Sequence, residues 1–416
     1  MSLLDQRVVE VASYVAGPSA TMTLAQLGAD VIRVDPPGGA SDRTRWPLAP
    51  SGASLYWATL NRGKRSVVID IRRPEGRELV LALAAAGCAR GGVVVDNLAR
   101  AGWLSREAVA DVRPDLVHLR VLGRADGRPS LDYTANAAAG VPLMTGPVDG
   151  APVNHVLPAW DLLTGQYVVV ALLAALAHRE RTGEGAELSV SLDEVALAGV
   201  ATLGWAADAG LTGHDRDRYG NHVYGSFGVD LETADHRRVM VAALGRRQWD
   251  NLCLTTGTTE VFEAVGAGLG HDLGTDEGRF AAREVITAVL RPWFANRTLA
   301  EAGHALDADG ALWGAYRSMT EAVTAGLKPV VTAGSALDAI PAEPLLHRFD
   351  QDGVGPMVGA RFPVRGLDQL PDDRPAPVLG AHTKEVLAEV LGLGDPEIGR
   401  LVDDGVVEQA PKPAYA

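Results

Sequence analysis

The sequence predicts an α/β protein: a large parallel sheet covered by helices on both faces, joined to a second, smaller α/β module. Three observations lead there. Short β-branched runs alternate with helical stretches from residue 7 to residue 121, the order that builds parallel sheets. Beyond residue 225 the pattern changes to two strands, 226–232 and 238–243, flanking a short turn, which reads as an antiparallel hairpin. At 416 residues the chain also exceeds what one core ordinarily takes, so two domains are expected.

Taken in order, residues 7–11 read as a strand and 13–18 as a turn, with Pro18 suited to the first position of a helix. The helix 19–27 stops at Gly28, and 30–35 is a second strand ended by Pro36-Pro37-Gly38-Gly39. The unit then repeats: strand 66–71, helix 74–86, strand 92–96, helix 105–111, strand 116–121. Ligands of such sheets bind beyond the carboxyl ends of the strands, here Val15-Ala16, Pro36-Pro37, Arg72-Arg73, Asn97-Leu98 and Gly123-Arg124. No G-x-G-x-x-G follows the first strand, and neither a phosphate-loop sequence nor H-E-x-x-H occurs. Further on, 186–191 reads as a strand and 192–209 as an alanine-rich helix. The glycine-punctuated stretch 210–225 reads as a linker or mobile loop. Helices are expected at 246–255, at 279–295 and from Leu299, an extended Pro- and Gly-rich return over 326–373, and closing helices at 383–391 and 395–403. The expected domains are therefore 1–209 with 374–416 for the large one and 226–310 for the small one, connected by 210–225 and 311–373.

Composition narrows the function class. Lys+Arg 38 against Asp+Glu 52 leaves a net charge of −14, which disfavours nucleic acid or an anionic membrane as partner through the overall field. Cys88 and Cys253 form no metal-binding pattern, and two thiols without a signal peptide suggest a reducing cytoplasm. The apolar run 167–177 is too short to span a bilayer and reads as a buried helix.

That run belongs to the stretch around which the chain is organised. Asp161 sits where the apolar helix begins, Pro158 marks the turn before it, and His178-Arg179-Glu180-Arg181 and Gly183 end it. An acid at the positive end of a helix is held in its ionised form. Gly165 leaves the backbone open beside it for something bulky to approach. Asp is also among the commonest helix-capping residues, so capping is the competing role.

Several stretches together resemble the class III CoA-transferase (CaiB/BaiF) family. They are Val8-Val9-Glu10-Val11 through Ala16-Gly17-Pro18 to Gly28-Ala29-Asp30 and Asp35-Pro36-Pro37-Gly38-Gly39; Asn61-Arg62-Gly63-Lys64-Arg65-Ser66-Val67 with Pro74-Glu75-Gly76; Asp161 to Gly165 with Arg181-Thr182-Gly183-Glu184-Gly185; and Pro375-Ala376-Pro377-Val378-Leu379-Gly380-Ala381-His382-Thr383. The resemblance implies a Rossmann-like large domain built from both ends of the chain, a small domain inserted between long linkers, and ring-shaped chains interlocked as a homodimer. It places the family's catalytic aspartate on Asp161, which attacks a thioester carbonyl and becomes in turn a mixed anhydride and an aspartyl-CoA thioester. Backbone N–H groups near Gly165 or in the loop 219–224 would stabilise the oxyanions, and a closing glycine-containing loop would exclude water. Coenzyme A is then part of the substrate, with no permanently bound cofactor and no metal. Its contacts are expected at Val15, Arg72, Asn97 and Leu98, with Lys64-Arg65 as the basic pair; Asn97 as a strand-end turn residue and Lys64-Arg65 as a solvated surface pair are the plainer readings. Some members carry a basic residue where this chain has Pro36.

Racemases of the same family resemble the segment Ser130-Leu131-Asp132-Tyr133 but need a histidine at the position of Leu131, and leucine takes no proton. Asp132-Tyr133-Thr134, Met144-Thr145-Gly146-Pro147 and Val153-Asn154-His155 through Trp160-Asp161 instead resemble members that move CoA between the C1 and C4 carboxyls of one dicarboxylate, mesaconate. In that reading His155 binds the free carboxylate, Tyr133 donates a hydrogen bond to substrate, and His222 in the loop 219–224 is a further candidate; Trp160 packs. Transfer between an acyl-CoA and a separate carboxylic acid is the alternative, and a CoA-binding protein without turnover the remaining one.

Overall fold

A computed structural model describes residues 3–86, 91–98, 102–105, 107–108, 113–328, 344–367, 370–371 and 373–410. The first half of the chain runs β1 (Arg7–Val11), α1 (Ala16–Gln26), β2 (Asp30–Asp35), α2 (Leu55–Leu60), β3 (Arg65–Ile69), α3 (Pro74–Ala85), β4 (Val93–Asp96) and β5 (Val117–Leu122). Then come α4 (Asp132–Ala138), α5 (Val141–Met144), α6 (Ala159–Thr182), β6 (Ala186–Ser191), α7 (Leu192–Thr202) and α8 (Trp205–Thr212). The expected helix 105–111 falls largely outside the described residues.

Two compact units divide the chain. The first comprises Met1–Ala139, Val156–Ala207 and Gly326–Ala416. Its sheet has the order β12-β3-β2-β1-β4-β5-β6, where β12 is Val407–Glu408. Every neighbouring pair is parallel except β12 on β3. Strand alternation makes two cores from one sheet. Val8, Val31, Val95, Val117 and Leu119 face α1 and α6 through Leu24, Val168 and Leu172. Val9, Val11, Ile32, Val67 and Ile69 face α3 and the C-terminal helices through Val80, Leu83, Val386 and Ile398. The tail is stitched in by polar contacts: the Val68 N–H donates to Thr383 Oγ1 at 3.1 Å and the Gly380 N–H to Ser66 Oγ at 2.9 Å.

The second unit comprises Gly140–His155 and Asp208–Ala325. A three-stranded antiparallel sheet, β7 (Phe227–Glu232), β8 (Arg238–Ala243) and β9 (Leu312–Ala315), packs Phe227, Val229 and Val241 against helices contributing Trp249, Ile286, Leu290 and Phe294. Residues 140–155, expected in the large domain, group with this unit.

Four departures from the expected elements have physical causes. The helix read over 192–209 breaks at Leu203-Gly204 and its two halves bend by 74°, with Gly204 at φ 79°. The return segment contains a hairpin, β10 (Leu346–Gln351) and β11 (Gly355–Ala360), in place of extended chain; its glycines and Pro356 mask strand periodicity. Helix α6 is 24 residues long, enough in length and apolarity to cross a membrane, but it lies against α1 and the sheet. Nor is it wholly buried: Tyr167, Val170 and Leu173 are exposed along one flank.

Candidate active site

Helix α6 begins where βαβ winding brings helix N-termini, at the carboxyl edge of the sheet. Its N-cap position is Pro158, which has no side-chain acceptor to offer. The acceptor comes from α4. Asp132, buried to 2 % exposure, takes the backbone N–H of Trp160 at 2.7 Å and of Asp161 at 3.0 Å. The competing role for Asp161 is thereby filled by another carboxylate. Among the described residues the Asp161 side chain makes no hydrogen bond, so its oxygens stand free of the fold.

Its electrostatics differ from the expectation of a carboxylate held ionised by the helix. Burial, first, and the neighbouring Asp132 charge, second, raise Asp161 from 3.8 to about 7, with Arg45 opposing them. The helix terminus favours the charge, but its nearest N–H groups are spent on Asp132. Arg45 lies over the rings of Tyr56 at 5.3 Å and Tyr14 at 5.8 Å. Tyr56 is itself raised, chiefly by burial, with Arg45 opposing and Asp161 adding to the rise. Tyr14 sits at φ 69°, a left-handed conformation rare outside glycine. Its N–H is fixed by Asp42 at 2.9 Å and its hydroxyl meets Ser41 Oγ at 2.9 Å.

Asp42 ends a buried ion cluster. Arg33 donates to Asp35 at 2.9 Å, Asp42 at 3.1 Å and Asn61 at 3.0 Å. Lys64 Nζ lies 2.8 Å from Glu10 and 2.9 Å from both Pro18 O and Asn61 Oδ1. Lys64, expected as half of a ligand-binding pair, has a side chain with no exposure at all, and burial lowers it to about 8. It braces the start of α1 from inside. Arg65 pairs with Asp30, Glu385 and Glu389, bracing the C-terminal helix. Arg72 is exposed and held by Asp70 at 2.7 Å.

Gly165 also departs from its expected role. A Cβ there would lie 2.4 Å from Ser19 Oγ and 3.0 Å from Ala16 O, so its missing side chain lets α1 and α6 touch. Space for substrate is not what the glycine creates. Asn97 ties two sheet-edge loops together: its Oδ1 accepts the Ser13 N–H at 3.3 Å and its Nδ2 donates to Ser13 O at 3.0 Å. The Leu98 N–H donates to Asp96 at 2.8 Å, and Val15 is buried at the N-cap of α1. Tyr133 is partly exposed beside Asp132 on α4.

Trp160 packs, its ring reaching within 2.9 Å of where a Gly199 Cβ would stand. The structure brings Asp161, Tyr133, Val15, Asn97, Leu98, Arg72, Lys64, Arg65 and Gly165 into the first unit; His155 and His222 belong to the second. There His222 is largely buried and 3.3 Å from Glu284, and burial lowers it despite that partner. Its loop is pinned by Tyr219 stacked on Tyr224, both edge-on to Phe280, and by the Val223 N–H on Gly228 O at 2.9 Å. Among the described residues no His, Cys, Asp and Glu group is arranged to hold a metal.

Comparison with known proteins fits this geometry. The model of CoA-transferase family III matches residues 3–383. The chain is 45% identical over 405 residues, 96% of either protein, to 2-methylfumaryl-CoA isomerase of Chloroflexus aurantiacus. It is 32% identical over 314 residues, 71% of this chain and 75% of the other, to succinyl-CoA:mesaconate CoA-transferase of Haloarcula hispanica. A crystal structure of a CaiB/BaiF family protein from Brucella suis superposes with a TM-score of 0.75 at 27% identity, covering 94% of this chain and 100% of that one.

Proposed function

The chain belongs to CoA-transferase family III and is a CoA-transferring enzyme; from that membership we propose that it moves CoA between the C1 and C4 carboxyls of one dicarboxylate, 2-methylfumarate (mesaconate). The near full-length similarity to an isomerase of that thioester carries the reading. Asp161 is its nucleophile, supported by a half-buried carboxylate that the fold leaves without a structural duty.

The steps balance as follows. An Asp161 oxygen attacks the thioester carbonyl, the C–S bond breaks and CoA leaves as thiolate, giving a mixed anhydride. The thiolate attacks the Asp161 carbonyl and expels mesaconate as its carboxylate, giving an aspartyl-CoA thioester. The other carboxylate of mesaconate attacks that thioester and releases the thiolate. Finally the thiolate attacks the new substrate carbonyl and frees Asp161. Each difficult exchange is split into easier covalent steps, and none needs a metal or a bound cofactor. Mesaconate is trans about its double bond, so its carboxyls cannot close into a cyclic anhydride. The free diacid must turn end for end before it is reloaded. Arg45, next to Asp161 in charge interaction, is the cation that receives the carboxylate not being activated; His155, six positions upstream of Asp161 in the chain, is the second candidate.

The assembly belongs to the same proposal. An interlocked homodimer would cover the exposed Tyr167, Val170 and Leu173 of α6 and Leu197 of α7. The proposal extends to a cytoplasmic location without nucleic acid or membrane as partner, a reading supported by the charge of −14 and by so few thiols.

The decisive experiment adds isotope-labelled mesaconate during turnover of unlabelled mesaconyl-CoA and follows both thioester isomers by mass spectrometry. Retention of the diacid predicts isomerisation without added acid and only slow entry of label. Stoichiometric incorporation would establish the intermolecular reaction that the Haloarcula relative's name describes.

A further inference from the structure

We propose that Asp132 and Asn136 of α4 form a clamp that positions the nucleophile, with Asp132 as a positioning residue for Asp161. The two lie four residues apart on one helical face and are 2 % and 0 % exposed. Asp132 accepts the first N–H groups of α6, from Trp160 and Asp161 itself. Asn136 Oδ1 accepts the Trp160 indole N–H at 2.9 Å. The first turn of α6 is thus gripped at backbone and side chain at once, and the Trp160 ring is backed by Gly199 of α7. A local cap at position 158 would satisfy the same N–H groups but would leave the direction of the turn to the preceding loop. A cap reaching in from α4 fixes the turn to the framework, and with it the Cα of Asp161.

The carboxylate does a second thing that an amide or hydroxyl cap would not. It keeps a negative charge beside Asp161, so the nucleophile is more basic than helix position alone would make it. The charged and titratable groups that bear on Asp161 are Asp132 from α4, Arg45 from the loop after β2 and Tyr56 from α2, with Tyr14 and Asp42 behind Tyr56. Of these groups, among the described residues, only Asp132 takes a hydrogen bond from the backbone of Asp161. The clamp therefore couples geometry and basicity in one residue.

This inference rests on Asp161 being the nucleophile, and its test separates the two. Full-length wild type, Asp132→Asn, Asp132→Ala and Asp161→Ala are assayed on mesaconyl-CoA across pH, with circular dichroism confirming the fold. Asp132→Asn keeps the accepting oxygen and loses the charge. Its acidic limb is expected to move down by about one pH unit, with turnover on the plateau largely kept. Asp132→Ala loses both, so its kcat is expected to fall about 10- to 100-fold, with KM changed much less. Rescue of kcat by Asn relative to Ala, together with the shifted limb, supports the clamp. Asp132→Ala with wild-type kcat and pH profile overturns it. Asn and Ala equally impaired on an unshifted profile also overturns it, because the role is then only structural. Turnover retained by Asp161→Ala would instead sink the underlying assignment, whatever the Asp132 variants do.

Discussion

Asp161 meets two opposed demands: it must be anionic to attack a thioester, and it is half-buried beside another acid. The shift to about 7 places the balance near neutrality. Two outcomes are expected. First, kcat/KM for mesaconyl-CoA rises with pH through about 7 and then levels, because only the ionised form attacks; a profile flat from pH 5 to 9 contradicts this. Second, stability carries the opposite sign. A group whose folded pKa lies above its unfolded one contributes stability below about pH 4, and this is lost as pH rises through about 7. Asp161→Asn removes that loss. The inactive variant should therefore exceed wild type by roughly 1–3 kcal/mol at pH 8, read from denaturant unfolding, and the gap should close toward pH 4. The nucleophile itself is legible in the sequence because an acid opening an apolar helix stands out locally. Its neighbours are not. Asp132 lies 29 residues upstream of Asp161 and meets it only when α4 packs on α6. Arg45, Tyr14 and Tyr56 come from segments without periodicity. Lys64 reads as a solvated cation because nothing local says that Glu10, on β1 two strands across the sheet, turns inward to meet it.

At the scale of the element, α6 shows how one helix serves packing and chemistry together. Thr164, Gly165, Val168 and Leu172 form its buried face, with Asp161 one turn above Gly165. Gly165→Ala would drive a Cβ into Ser19 Oγ and Ala16 O. Backbone cannot yield as a flexible side chain does, so α1 and α6 must separate. We expect a loss of about 1–3 kcal/mol in unfolding free energy, together with lower kcat, since α1 packs on α6 one turn from Asp161; thermal melts and steady-state rates check both. The sequence shows α6 and the sheet strands clearly because their patterns are long or repeated. It hides α4, α5 and the hairpin 346–360, whose few residues carry no period. Arg179 illustrates the same limit. Read as a cation at the helix end, it turns inward to donate to Gly91 O at 3.1 Å and Gly92 O at 3.0 Å.

For the whole molecule, the exposed apolar flank of α6 bears on assembly. A homodimer of interlocked chains is expected to hold together on dilution, because its protomers separate only after partial unfolding. Light scattering across a hundredfold dilution, about two decades in concentration, checks this; a folded monomer appearing reversibly argues against interlocking. The order of the chain has a consequence of its own. Strand β12 closes the β3 edge of a sheet whose other strands lie between residues 7 and 191. The hydrophobic face at Val67 and Ile69 is covered by Val386, Leu387 and Val407. Synthesis is vectorial, so these last pieces leave the ribosome after everything they must cover. Until then the nascent sheet has an open edge and a face that α3 covers only in part, while most of the second unit, residues 208–325, is already complete behind it. The protein thus finishes its middle before its beginning, and the cell must shelter the β3 edge for the time taken to translate more than two hundred residues beyond β6.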